Sequence, residues 1–130
     1  MLKWKTKELL KEYGSVTEQC KRRFKYMMLC LENNSFDAIV TSVYRSPERQ
    51  YEIYKQAGKE YISSPHSFYR AIDIVPLRKD SNPLSVEDRA MLLSICALAE
   101  KQMPYGKGKI KSYLFHDIGL GLHLHIQSKD

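Results

Sequence analysis

No stretch of this chain approaches 18 consecutive apolar residues, so no transmembrane helix is expected. Glycine (6) and proline (5) are too sparse for a collagen-like or low-complexity chain. Cysteine is scarce as well. Cys20, Cys30 and Cys96 are odd in number and contain no C-x-x-C pair, which excludes a disulfide scaffold. The expectation is free thiols buried on helices, with no metal on them. The segment from Met1 to Lys7 is basic, but neither an apolar core nor a small-residue cleavage site follows it. The chain is therefore expected to be made in the cytoplasm without a secretory signal.

What is present is ordinary for a globular protein: 43% apolar and 28% charged residues over 130 positions, enough for a single domain covering 1–130. Lys and Arg (21) outnumber Asp and Glu (15), giving +6. Such a balance serves solubility, attraction to nucleic acid, or attraction to an anionic surface such as a cell wall. The basic residues are scattered (Lys3, Lys5, Lys7 and Lys11; residues 21–25; Lys107, Lys109 and Lys111), which reads as a solvated face. No helix-turn-helix, zinc-finger or RNP pattern occurs, so no specific nucleic-acid partner is expected.

Local signals place the elements. Residues 6–13 read as a short helix stopped near Gly14. Ser15 and Glu18 have capping-box spacing and open a helix to about Leu31, with Phe24, Met27, Met28 and Leu31 on its inner face. Asn33-Asn34-Ser35 breaks it. Residues 38–44 are β-branched and aromatic and read as a strand. Ser46-Pro47-Glu48 starts a helix that ends at Gly58. Residues 61–69 form a polar, aromatic loop, and residues 71–75 a second strand ended by Pro76. Ser85 caps a long helix to about Met103, a glycine-lysine turn spans 105–111, and residues 122–126 alternate as a third strand. The sum is an α+β chain: a helical N-terminal part (1–34), then a core of 38–126.

The four histidines are His66, His116, His123 and His125. His66 closes a loop, and Asp73 follows seven residues later in a strand. His123 and His125 are two apart on a strand and share a face. A loop reversal lets His66, Asp73 and one of that pair converge, and zinc accepts two imidazoles and a carboxylate while leaving a position for water. The alternative is that these are ordinary polar positions at a strand edge.

Three segments, in order, resemble a known family. The run Ser64-x-His66-x-x-x-x-Ala71-x-Asp73 resembles the S-x-H-x-x-G-x-A-x-D motif of the M15 zinc peptidases, which comprise D-alanyl-D-alanine carboxypeptidases and phage L-alanyl-D-glutamate endolysin peptidases. Residues 41–50, which include Ser42, Tyr44, Arg45, Ser46 and Gln50, resemble the family's S-G-Y-R-S-x-x-x-Q segment. His123-x-His125 resembles the H-x-H of its hedgehog-like members. The resemblance implies a hedgehog/DD-peptidase-like fold, a small antiparallel sheet with the N-terminal helices packed against it. It implies His66, Asp73 and His125 as zinc ligands, His123 beside the metal, Arg45 at the substrate carboxylate or oxyanion, and Ser64 and Gln50 near the substrate. The chemistry implied is hydrolysis of peptide bonds in peptidoglycan stem peptides by zinc-activated water, on the cell wall after lysis or from a phage particle.

The chain departs from the pattern in two places. The motif glycine is Tyr69, and a tyrosine does not reach positive φ cheaply. The family's usual acid, three residues before the last histidine, is Leu122; six residues before it stands Gly119. The nearest acid is Asp117, so Asp117, His123 or His116 is left to act as general base. The alternative function is a zinc-binding, non-catalytic module of a phage particle.

Overall fold

The computed structural model describes residues 2–116 and 122–130. Each helix begins where a side-chain oxygen is available for the first free backbone N–H groups. Thr6 caps α1 (Lys7–Tyr13) and Thr17 caps α2 (Glu18–Asn33). Ser46, followed by Pro47 at the first helical position, caps α3 (Pro47–Gln56), and Ser85 with Asp88 forms a reciprocal capping box on α4 (Val86–Gln102). The cap of α2 is thus Thr17 rather than Ser15: Thr17 Oγ1 accepts from the Cys20 N–H. The expectation stopped at the first hydroxyl in the run, whereas the chain through Ser15 and Val16 still belongs to the turn after α1.

Five strands form a mixed sheet in the order β1-β2-β3-β5-β4. They are β1 (Leu2–Trp4), β2 (Phe36–Ser42), β3 (Ala71–Arg78), β4 (Tyr113–His116) and β5 (His123–Gln127). This corrects the expected antiparallel sheet and wholly helical N-terminus. Residues 2–4 are a strand that runs parallel to β2, and α1 and α2 supply the crossover that parallel neighbours need. β1 and β4 escaped the sequence reading because three or four residues are too few to show a period. β3 also continues through Pro76, which faces Ala38 of β2. Its pairing with β5 ends at Ile74, so beyond that point a residue without an N–H has no β5 bond to lose.

The alternation along the strands divides the sheet into two chemically different faces. Ile72, Ile74, Leu124 and Ile126 point one way and are fully buried with Phe36, Ala38 and Val40. Against them α2 brings Cys20, Phe24, Met27 and Leu31, and α4 brings Leu92, Ile95, Cys96 and Ala99. Met28 is only half-buried. The opposite face carries Asp73, His123 and His125.

Two charged side chains tie the edge strand β4 to the helices. Glu100 accepts three backbone N–H groups, from Tyr105, Ser112 and Tyr113. Arg23, buried, donates to Ser112 Oγ (3.0 Å) and to the Pro104 carbonyl (2.8 Å), while the Tyr113 hydroxyl donates to the Arg23 carbonyl. Glu100→Ala leaves three N–H groups without their acceptor and is expected to destabilise the protein by about 2–3 kcal/mol. Urea denaturation checks this; a loss under about 0.5 kcal/mol, the range of an ordinary surface substitution, would show that the clamp contributes nothing.

Candidate metal centre

Asp73 sits in the middle of β3, opposite His125 of β5. On its other side the β2 ladder slips by one residue between Val40 and Ser42, leaving Thr41 as the extra residue, and Thr41 Oγ1 donates to the Asp73 carbonyl. Bulges of this kind bend a strand beside a site. His66 reaches the same point from the 3-10 turn Pro65–Phe68, whose first residue follows the capping Ser64. Ser64 Oγ accepts the His66 N–H at 3.2 Å, and Ser67 Oγ donates to the Arg45 carbonyl at 2.6 Å, so the turn is fastened to the segment after β2.

The three residues converge: one ligand atom from each of His66, Asp73 and His125 lies within 4.8 Å of the other two. His66 is 2% exposed and Asp73 8%. His66 Nδ1 lies 2.8 Å from the Val43 carbonyl, which can only accept, so the ring proton is on Nδ1. Its Nε2 is buried and makes no hydrogen bond among the described residues, although Asp73 Oδ2 is 3.1 Å away. In the neutral ring Nε2 carries a lone pair, and a lone pair facing a carboxylate is repulsive unless a cation lies between them. His125 Nδ1 is 2.8 Å from Asp73 Oδ1. Two imidazoles and a carboxylate, with His66 and Asp73 buried and His125 half-buried, converge so as to fit a metal ion.

Burial raises the Asp73 carboxyl, but the His125 and His66 imidazoles beside it, when they carry protons toward it, outweigh burial and hold the group far below the usual carboxylate range. A depressed carboxylate contributes stability that is complete above its unfolded value near ~4 and is lost as pH falls through the folded value. The urea midpoint of the metal-free protein is therefore expected to fall more steeply between pH 5 and 2 (about the range in which a carboxylate titrates) than that of Asp73→Asn. Equal slopes would mean that the carboxylate carries no such linkage.

The other expected site residues are also placed. Half-buried Arg45 donates through Nη1 to Gln50 Oε1 (2.9 Å), and the buried Gln50 amide donates to the Ile62 carbonyl (3.0 Å), so Gln50 holds Arg45 to the loop before His66. His123 faces His116 across β4 and β5, with ring centroids 4.9 Å apart, on the same face as His125. Burial, then the neighbouring His123 and His125, lowers the His116 imidazole below its ordinary value, against a weaker opposite pull from Asp73. Asp117 lies outside the described residues. Sequence reasoning passed over Gln127, whose Oε1 lies 3.1 Å from His125 Nε2; its signal was its place two residues after His125 on the same face.

Tyr69 takes the left-handed conformation that glycine reaches without strain (φ 57, ψ 35). Its ring stacks on Tyr44 at 4.7 Å, and its carbonyl accepts the N–H of the capping Thr17. The stack and this bond offset a backbone penalty of about 1–2 kcal/mol. Tyr69→Ala keeps the penalty and loses the ring, so it should destabilise more than Tyr69→Gly, by about 1 kcal/mol. Thermal denaturation of the two variants decides it; Tyr69→Gly as the less stable variant would contradict the account.

Neither a family model nor a curated protein matches the sequence. The fold does have a solved counterpart. The crystal structure of the L-Ala D-Glu endopeptidase ChiX of Serratia marcescens matches with a TM-score of 0.55, over 95% of this chain and 90% of that one, at 16% identity. At that identity the likeness is one of fold. The chain has the fold of an endopeptidase, and the described residues contain a buried His-Asp-His group able to hold a metal ion. Among those residues no helix is long and apolar enough to cross a membrane.

Proposed function

We propose that the protein is a single-domain zinc peptidase of the M15 type, acting on the peptide bonds of bacterial peptidoglycan stem peptides, in the manner of phage lysins. The observation that carries this reading is the orphaned, buried Nε2 of His66 turned toward Asp73 and His125. The fold shared with an L-Ala D-Glu endopeptidase and the ordered motifs of residues 41–73 and 123–125 support it. His66, Asp73 and His125 would hold the ion. Zinc, when bound, lowers the pKa of a water and polarises a carbonyl.

The remaining steps belong to this chain's own residues. Arg45, held by Gln50, offers a permanent positive charge and a fixed fork of donors to a substrate carboxylate or to the developing oxyanion. Ser64 holds the His66 turn and borders the substrate. The proton from the attacking water would go to the His116–His123 pair, whose His116 has a pKa below its ordinary value, or to Asp117, the acid that the sequence offers next. A net charge of +6 favours approach to an anionic wall, reached after lysis or from a phage particle.

Leu122 favours a second reading, a zinc-binding module that has lost catalysis, because it stands where an acid is usual. One experiment separates the two. Native mass spectrometry of the wild type should show one zinc per chain, and His66→Ala or His125→Ala should show none. Arg45→Ala should keep its zinc and lose about 100-fold or more in turnover of muropeptides, the usual loss for an oxyanion donor. Zinc in the wild type without any muropeptide cleavage would select the non-catalytic module. A wild type that takes up no zinc would end both readings.

A further inference from the structure

The two imidazoles of the centre are anchored differently at the nitrogen facing away from it. His66 is fixed by a backbone carbonyl, that of Val43. At Nε2, His125 faces a side chain instead, that of Gln127. The direction of that amide is determined. Gln127 Nε2 lies 2.7 Å from the Lys111 carbonyl, which accepts and cannot donate, so the amide nitrogen must be on that side. The oxygen Oε1 is then the atom 3.1 Å from His125 Nε2, and it demands a proton there. Gln127 is itself immobilised: it is buried, and its backbone N–H donates to the Ser112 carbonyl at 2.9 Å. Ser112 is in turn held by Arg23 and Glu100.

An opposite pull acts on the same ring. Asp73 Oδ1, 2.8 Å from Nδ1, would take a proton on that nitrogen if it were offered one. A neutral imidazole has one proton, and the two acceptors compete for it. If the carboxylate wins, Nδ1 is capped and the lone pair points at Gln127, away from the metal position. We propose that Gln127 is a positioning residue that holds His125 in the Nε2–H tautomer and so keeps the Nδ1 lone pair turned toward Asp73 and His66. The inference rests on the metal-site reading above and adds to it the residue that keeps the site open to a metal rather than to a proton. Partners of this kind typically change metal affinity by about 10–100-fold.

The test compares wild type, Gln127→Met and Gln127→Glu, with thermal denaturation as the control for folding. Met preserves length and apolar bulk but offers no comparable acceptor; Glu keeps an acceptor toward Nε2. Zinc affinity is read by competition with a chromophoric chelator. The protonated nitrogen of His125 is read from long-range proton–nitrogen correlation spectra of the metal-free proteins at mildly alkaline pH. Gln127→Met is expected to bind zinc about 10–100-fold more weakly and to carry its His125 proton on Nδ1, while the wild type carries it on Nε2. Gln127→Glu is expected to stay within a few-fold of wild type, about the scatter of such effects. Unchanged zinc affinity and an unmoved proton in Gln127→Met overturn the role of Gln127 and leave the zinc site standing. Should Gln127→Met not fold, the wild-type spectrum decides: a His125 proton on Nε2 supports the role, and one on Nδ1 overturns it. A wild type that binds no zinc overturns the metal site itself, and the inference with it.

Discussion

Two imidazole nitrogens and a carboxylate converge on one point of the sheet's polar face. A neutral imidazole nitrogen without its proton and a carboxylate are both acceptors, and acceptors brought together repel unless a positive charge is shared among them. Protons can supply that charge, and so can a metal ion. The surroundings favour the ion, because the far nitrogens of both rings already have acceptors of their own: the Val43 carbonyl for His66 and the Gln127 amide for His125. An imidazole that gives its only proton outward has a lone pair to give inward. Much of the local architecture can be traced to holding that outward pattern, including the 3-10 turn under His66, the bulge at Thr41 and the clamp of Arg23 and Glu100 on the segment that orients Gln127.

The sheet makes this possible by separating the two demands on it. One face is paved by Ile72, Ile74, Leu124 and Ile126 and sealed by α2 and α4, which supply the apolar burial that stabilises a chain of this size. The other face is then free to carry Asp73, His123, His125 and Gln127 at alternate positions of the same strands. A shift of register by one residue in β5 would exchange Leu124 and His125 and destroy core and site together. Rigidity at the site therefore derives from the core directly beneath it, and the ligand positions are set by strand pairing rather than by loop conformation. His66, which comes from a turn, has the most extensive local fastening of the three, as that difference requires.

Legibility in the sequence followed the length of the signal. Helices α1, α3 and α4 announced themselves by single residues, the stop at Gly14 for α1 and the caps Ser46-Pro47 and Ser85 for the others, and their positions agree with expectation. Thr17 was missed because two hydroxyl residues lay within one turn and only tertiary packing chooses between them. β1 and β4 were missed because Leu2–Trp4 and Tyr113–His116 owe their extended form to a neighbouring strand far away in sequence, which no local window contains. Spacing and residue type brought together His66, Asp73 and one of His123 and His125; the choice of His125 came from the resemblance to a known family. Gln127 was not legible: an amide is chemically silent until the structure shows which way it points.

On the proposed reading, Leu122 stands where the resembled family carries an acid, so the proton of the attacking water needs another acceptor. His116 and His123 face each other across β4 and β5 on the face that carries His125, and the His116 imidazole lies below its ordinary pKa. An imidazole held toward its neutral form can accept a proton, which is what hydrolysis asks of a base. On the proposed reading, the chain has not simply lost a residue: the proton-accepting function has moved from a carboxylate before the strand to a cross-strand pair on it. Arg45 would fit a working site on that reading: its backbone is fastened to the His66 turn and its guanidinium is held by the buried Gln50, an arrangement that an oxyanion would use and a structural metal would not.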